Sequence, residues 1–180
     1  MRYIVDSNSF ITPHRGYSPI DVARSLWSKI SSLASEHKIY SLDKVKEELY
    51  LHDDELKEWM KANMPSDYFL SSDHAEVITK LQEIIAWADS HTFYTPKAKQ
   101  KFLRMDKADI YLVAFAAVAP EEWTIVSMER PAPRNAGEIK LPDACAKFGV
   151  RCLMLQDMFR EMGGTKADAR DGYDRIDNLI

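Results

Sequence analysis

Acids recur in this chain where hydrophobic segments stop. Asp6 directly follows Arg2-Tyr3-Ile4-Val5, and Glu48 sits within Val45-Lys46-Glu47-Glu48-Leu49. Asp109 opens the apolar run Asp109-Ile110-Tyr111-Leu112-Val113-Ala114-Phe115-Ala116, and Glu129 follows Thr124-Ile125-Val126-Ser127-Met128. Each has an ordinary role open to it: Asp6 a turn or helix cap, Glu48 a solvated surface, Asp109 the first turn of a helix, Glu129 an exposed loop before Pro131. Taken together they repeat one event, an acid at the carboxyl end of a strand or on the helix beside it. Crowded carboxylates repel one another and raise their own pKa values. A hard divalent cation, Mg2+ or Mn2+, relieves that repulsion through oxygen ligands. It also activates water and neutralises charge on a phosphoryl transition state. The expected chemistry is metal-assisted reaction at a phosphoryl group. Asp106, three residues before Asp109, could share a helical face with it and is a secondary candidate. The five histidines are scattered, which argues against a zinc site.

Positioning those acids requires strands that alternate with helices. Arg2 to Val5 reads as a strand ending in the polar turn Asp6-Ser7-Asn8. Thr12 to Pro19 is rich in turn residues and reads as a loop, and Ile20 to Glu36 follows helical periodicity. Lys38 to Leu42 is a second strand, with Asp43 opening the helix that carries Glu48. His52–Asn63 and Ser72–Asp89 are amphipathic, and we expect them to form a helical hairpin inserted at about 52–90. A basic helical turn from Pro96, an apolar helix from Lys107 to Ala119, a strand at Thr124–Met128, a short helix at Asp143–Phe148, a strand at Arg151–Leu155 and a helix at Asp157–Met162 complete the pattern. The expected fold is an α/β three-layer α/β/α sandwich around a central parallel sheet, spanning 1–162, with a polar tail over 163–180. Functional groups in such sheets gather beyond the carboxyl ends of the strands.

A chain of 180 residues, 46% hydrophobic and 29% charged, suits one compact domain. Its net charge of -4 means that any nucleic-acid contact must come from a local basic patch or from metal ions. Lys97, Lys99, Lys101, Arg104 and Lys107 precede the Asp109 helix, and Arg130, Arg134 and Lys140 follow Glu129. Both clusters flank the acids, where a phosphate backbone would need neutralising, though solvated loops balancing nearby acids would look the same. His14, Arg15 and Tyr17 lie on the first loop, and the tryptophans fit core positions better than base stacking. Cys145 and Cys152 fit reduced thiols, neither zinc ligands nor a disulfide framework. The N-terminus reaches charge too early for a signal peptide, and no apolar run is long enough to span a bilayer, so no membrane role and a cytoplasmic location are expected.

These motifs, in this order, resemble those of PIN-domain nucleases. Asp6-Ser7-Asn8 is similar to their opening Asp-x-Asn/Ser, Val45 to Leu49 to their Val-x-x-Glu-Leu, and Asp109 to Ala116 to their Asp-x-x-Ile/Leu-x-Ala-x-Ala helix. Ser127-Met128-Glu129 resembles their Thr/Ser-x-Asp, with Glu for the usual Asp. Lys140-Leu141-Pro142-Asp143 is similar to a stretch in an uncharacterised toxin-associated branch. The resemblance implies that Asp6, Glu48, Asp109 and Glu129 bind the metal, that Asn8 orients Asp6, and that Ser127 supports the site. It implies an RNA-cutting, VapC-like toxin with a cognate antitoxin as partner and a homodimer as one possible assembly. Glu129 puts a second metal site in question, because its longer arm moves the carboxylate. The competing expectations are an inactive PIN-type fold that binds protein or RNA, and a phosphatase or receiver domain. The phosphatase would need a second Asp where Asn8 stands, and the receiver a late strand ending in Lys rather than Glu129.

Overall fold

The computed structural model describes residues 2–163, and the expected tail from 164 onward lies outside the described residues. Five short strands form one parallel sheet in the order β3-β2-β1-β4-β5: β1 Arg2–Val5, β2 Ile39–Leu42, β3 Phe69–Leu70, β4 Trp123–Val126 and β5 Arg151–Leu153. Helices cover the sheet, giving the three-layer α/β/α sandwich. Ile4, Val5, Leu42, Ile125 and Val126 are buried, as expected for strands covered on both faces. The order reverses between β1 and β4, which places a crevice beyond their carboxyl ends.

The first helix starts earlier than the turn-rich sequence suggests. α1 runs Asn8–Arg15 and contains Pro13, so Thr12 to Arg15, expected as loop, is helical. Ser9 N–H donates to the Asp6 carbonyl, and the amides of Phe10 and Ile11 donate to that of Ser7, each at 3.0 Å. Phe10 and Pro13 are buried, and that burial outweighs the hydrogen bond Pro13 cannot make. Gly16 ends the helix where a Cβ would lie 2.8 Å from the Thr12 carbonyl oxygen. α2 then spans Arg24–Ser35, and Trp27 in it donates from Nε1 to the Ser18 carbonyl at 2.9 Å.

α3 spans Asp43–Leu49, α4 Glu55–Asn63 and α5 Ala75–Ser90. The two amphipathic helices expected around 52–90 are therefore present, but they do not form an inserted hairpin. Between them β3 pairs with β2, Ser41 opposite Phe69 and Leu42 opposite Leu70, so the segment adds an edge strand to the sheet. Alternating apolar residues over two positions are too short a signal for strand periodicity. α5 packs chiefly on α7, Asp109–Val118, and α4 meets α1. α7 is apolar almost all round, as a helix enclosed by neighbours should be, with Ile110, Leu112, Val113, Ala114 and Ala116 buried. α6, Pro96–Phe102, starts on Thr95, whose hydroxyl accepts the Ala98 amide at 3.2 Å, with Pro96 in the first turn. α8 spans Leu141–Lys147 and α9 Leu155–Glu161. Among the described residues, no helix is long and apolar enough to cross a membrane.

Candidate functional site: an acid cluster at the sheet edge

Strand ends fix the floor of the site. The ladder carries past β1, where Asp6 N–H donates to the Val126 carbonyl at 2.9 Å, and past β4, where Ser127 N–H donates to the Leu153 carbonyl at 2.9 Å. Two buried hydroxyls seal the same edge: Ser9 donates to the Val126 carbonyl at 3.1 Å and Ser41 to the Val5 carbonyl at 2.7 Å. Asp6 is thereby held at the carboxyl end of the central strand with its side chain buried.

Hydroxyls rather than amides orient its carboxylate. Ser127 Oγ donates to Asp6 Oδ2 at 2.8 Å, and Ser7 Oγ lies 3.3 Å from Oδ1. Ser7 also donates to Glu48 Oε2 at 2.7 Å, so this one serine bridges two of the acids. Asn8, expected to orient Asp6, is the first residue of α1 and makes no side-chain hydrogen bond with it. Ser127 fills its expected supporting place. The role of Ser7 was missed, because one hydroxyl in a polar turn looks the same in sequence whether it meets water or a neighbouring helix.

Glu48, in the last turn of α3, reaches the start of α7. Its Oε1 accepts the Ala108 amide at 3.1 Å and lies 3.7 Å from Lys107 Nζ. Glu129 leaves β4 and bends toward α8, where Oε2 accepts the Leu141 amide at 3.0 Å and Oε1 lies 3.6 Å from Lys140 Nζ. Its backbone amide donates to Ser127 Oγ at 3.2 Å. Asp143 holds the intervening loop by accepting the Ala132 amide at 2.9 Å.

Asp109, the first residue of α7, faces the other three acids, and its carboxylate accepts no hydrogen bond from any described residue. Burial, then the charges of Asp6, Glu129 and Glu48, push its pKa up to about 8, with Lys107 opposing. Burial likewise pushes Asp6 up to about 6; Ser127 opposes, and Glu48 and Glu129 add to the rise. Beneath them lies the thiol of Cys145, raised by a hydrogen bond with Cys152, by burial and by the charges of Asp109 and Asp6. Both cysteines are free thiols.

In kind, the donors fit a hard divalent cation: all are carboxylate oxygens, they carry excess negative charge, and Asp109 has no competing donor. In position the set is open. Among the described residues no three acid, histidine or cysteine side chains stand close enough to grip one ion, since Glu48 and Glu129 rest on backbone amides.

Other expected residues fall outside this cluster. Asp106 is exposed and pairs with Arg104 through both carboxylate oxygens. Lys101 pairs with Glu138, and Lys99 donates to the Asp89 carbonyl at 2.6 Å. Lys97, Arg130 and Arg134 make no side-chain hydrogen bond or ion pair with a described residue. Arg15 pairs with Asp54 at 3.6 Å, and His14 packs edge-on against Trp27 in the interior.

A family model described as a domain of unknown function (DUF4411) matches residues 3–165. No curated protein and no solved structure matches the chain.

Proposed function

The chain belongs to the DUF4411 family, and from the acids gathered at its sheet edge we propose that it is a divalent-metal-dependent ribonuclease. One observation carries the reading: a half-buried aspartate, Asp109, lies within reach of the charges of three further carboxylates without a hydrogen-bond donor of its own. Charge concentrated in that way raises the energy of the folded chain unless a cation shares the site. The motif order resembling PIN-domain nucleases supports the same reading and adds the toxin role, with a cognate antitoxin, as its finer part.

Mg2+ or Mn2+ would supply Lewis acidity, making water a better nucleophile and offsetting charge on the phosphoryl oxygens. Asp6 and Asp109 would hold it, and Glu48 and Glu129 would join them only by releasing the Ala108 and Leu141 amides. The chain's own part is positioning. Ser127 and Ser7 fix the Asp6 carboxylate, and Ser7 ties Glu48 to it. Lys107 and Lys140 stand at the rim beside Glu48 and Glu129, where either can meet a phosphate oxygen.

Purified protein is expected to cut single-stranded RNA with Mg2+ or Mn2+ and to stop in EDTA. Glu129→Asp shortens the arm by one methylene and draws the carboxylate from the Leu141 amide. Higher activity in that variant would mark the natural Glu as a weakened ligand. No cleavage with either cation, at any protein concentration soluble in the assay, would overturn the nuclease reading. A second reading, a binding module without turnover, is favoured by the amide bonds that Glu48 and Glu129 already accept. It predicts RNA binding that persists in EDTA and no cleavage.

A further inference from the structure

Two loops flank the acid cluster on the side of Glu129, and they are tied together. Thr95 N–H, at the end of the α5–α6 loop, donates to the Ala136 carbonyl in the β4–α8 loop at 2.9 Å. Glu138 adds a second tie, pairing with Lys101 of α6 and with Lys140, 2.8 Å away. Lys140 in turn lies 3.6 Å from Glu129, so the joined loops run into the acid cluster.

The α5–α6 loop is aromatic. Phe93 is 44% exposed, although its ring packs edge-on against buried Tyr94 with centroids 5.2 Å apart. Tyr94 and His91 lie 4.8 Å apart, and Trp87 packs on both. The Phe93 amide donates to His91 Nδ1 at 3.3 Å, which helps fix the loop. Phe93 is thus an exposed ring on a rigid aromatic base. A flexible loop would lose entropy on ordering such a ring; this one is already ordered.

The same part of the chain carries cations without an acid partner. Lys101, Arg104, Lys107 and Lys140 are each engaged with an acid. Lys97, one position into α6, and Arg130 and Arg134, on the β4–α8 loop, have no ion-pair partner among the described residues. In a chain of net charge -4, these three cations, on α6 and on the loop tied to its start, form a local basic stretch. Their complement is a polyanion, and the exposed ring beside them suits a base with a free π-face.

Resting on the nuclease reading, we propose that these loops are a platform for an unpaired nucleic-acid strand that leads into the acid cluster. A base stacks on Phe93, and Lys97, Arg134 and Arg130 meet successive phosphates. A duplex hides its base faces and loses the stacking contact, so the platform selects single-stranded segments.

The test is fluorescence anisotropy of a labelled single-stranded oligoribonucleotide in EDTA, where cleavage cannot occur, with a deoxyribose strand and an RNA duplex as parallel arms. The single strands are expected to bind more tightly than the duplex. Phe93→Ala should weaken single-strand binding about ten-fold and Phe93→Trp should restore it. Arg134→Ala should reduce the slope of log affinity against log salt by about one. Because Phe93 is half exposed, unchanged melting temperatures should accompany these losses. Equal binding of both strand types would assign recognition to bases and phosphates, and preference for ribose would add the 2′-hydroxyl; either supports the platform. Wild-type affinity in both Phe93→Ala and Arg134→Ala would overturn it, as would no strand binding at all, the result expected if the surface serves a protein partner. Cation-dependent cleavage that survives those variants would leave the nuclease reading standing without the platform. Phe93-dependent binding with no cleavage under any cation would leave the platform and overturn the nuclease.

Discussion

On the outer helices, acids keep cations within one turn: Asp53 with Lys57 at 2.5 Å, Glu58 with Lys61 at 2.8 Å, Glu83 with Lys80 at 2.9 Å and Asp157 with Arg160 at 2.6 Å. At the sheet edge the spacing is opposite. Asp6, Glu48, Asp109 and Glu129 share two lysines, and those stand 3.7 Å from Glu48 and 3.6 Å from Glu129. Asp6 is left to two serines, and Asp109 has no hydrogen-bond donor at all. The outer pairs are solvated and contribute little individually, from about zero to 1 kcal/mol each. The inner acids cost folding energy where they stand. The contrast is between acids that meet a cation within one turn and acids that meet mainly serines, backbone amides and one another's charge.

Breaking the inner cluster should therefore have the largest consequence. Asp109→Asn keeps the shape of the side chain and is expected to lower RNA hydrolysis by about a hundred-fold or more, the scale for losing an electrostatic group at a reacting centre. Glu83→Gln, on the paired outer surface, should leave initial rates within about two-fold, as surface pairs contribute so little. Single-turnover rates of the two variants under saturating Mn2+ compare the regions directly. Similar rates would mean that the activity lies elsewhere.

The next effect is on stability. A cation that binds only the folded chain should raise the melting temperature, by about 2.7 kcal/mol of stability at a hundred times its dissociation constant. Asp6→Asn and Asp109→Asn should lose most of that gain, and Glu83→Gln should keep it. Scanning calorimetry with and without Mn2+ reads this without any nuclease assay. Equal shifts in all variants would detach the cation from the cluster.

How much of this was legible beforehand differs between fold and site. The parallel sandwich follows from strands and helices that alternate, and Ile4, Val5, Ile125 and Val126 are apolar on both faces, the mark of covered strands. The four acids were singled out because strand ends in such a sheet converge on one crevice, and the structure ties Asp6 to Glu48 through Ser7 while holding Glu129 on the Leu141 amide. Residues whose role depends on side-chain direction could not be read. Asn8 opens α1 and makes no hydrogen bond with Asp6, and Ser7 bridges Asp6 and Glu48 across 41 positions of sequence. Asp106 looked like a partner for Asp109, yet Arg104 two residues before it was the nearer charge. β3 escaped because two residues carry no period, and α1 because buried Phe10 and Pro13 overrode turn composition.

A smaller effect separates the regions by pH. Asp6 and Asp109 have folded-state pKa values raised to about 6 and about 8, above the usual aspartate value of 3.8. Below the unfolded value both states hold the proton and the groups cost nothing. As pH rises, the unfolded chain ionises first, so their cost to the folded state grows progressively and is complete once pH passes the folded values. Metal-free protein should therefore melt at a lower temperature at about pH 8 than at about pH 5, and Asp109→Asn should flatten that decline. Saturating Mn2+ should flatten it as well. An identical slope in wild type and Asp109→Asn would mean that Asp109 is not strained by its neighbours.

The smallest expected effect has the opposite sign and completes the contrast. Asp54 lies outside the cluster and does structural work: its Oδ1 accepts the Lys57 amide at 3.0 Å, capping α4, and its Oδ2 lies 3.6 Å from Arg15. Asp54→Ala removes a partner for an otherwise orphaned amide and should cost about 1 kcal/mol, most of it from the cap, because the exposed ion pair adds little. For a domain of this size that corresponds to a fall of about 2–4 °C in melting temperature. Hydrolysis should not change, since α4 contributes no residue to the crevice. Asp109→Asn, by contrast, should raise the melting temperature of the metal-free protein at about pH 8, because it removes a repelled charge. Two aspartates, each the first acid of its helix region, then respond to neutralisation in opposite directions. If both substitutions destabilise metal-free protein equally at that pH, Asp109 is a structural cap like Asp54, and the case for a cation in the crevice falls with it.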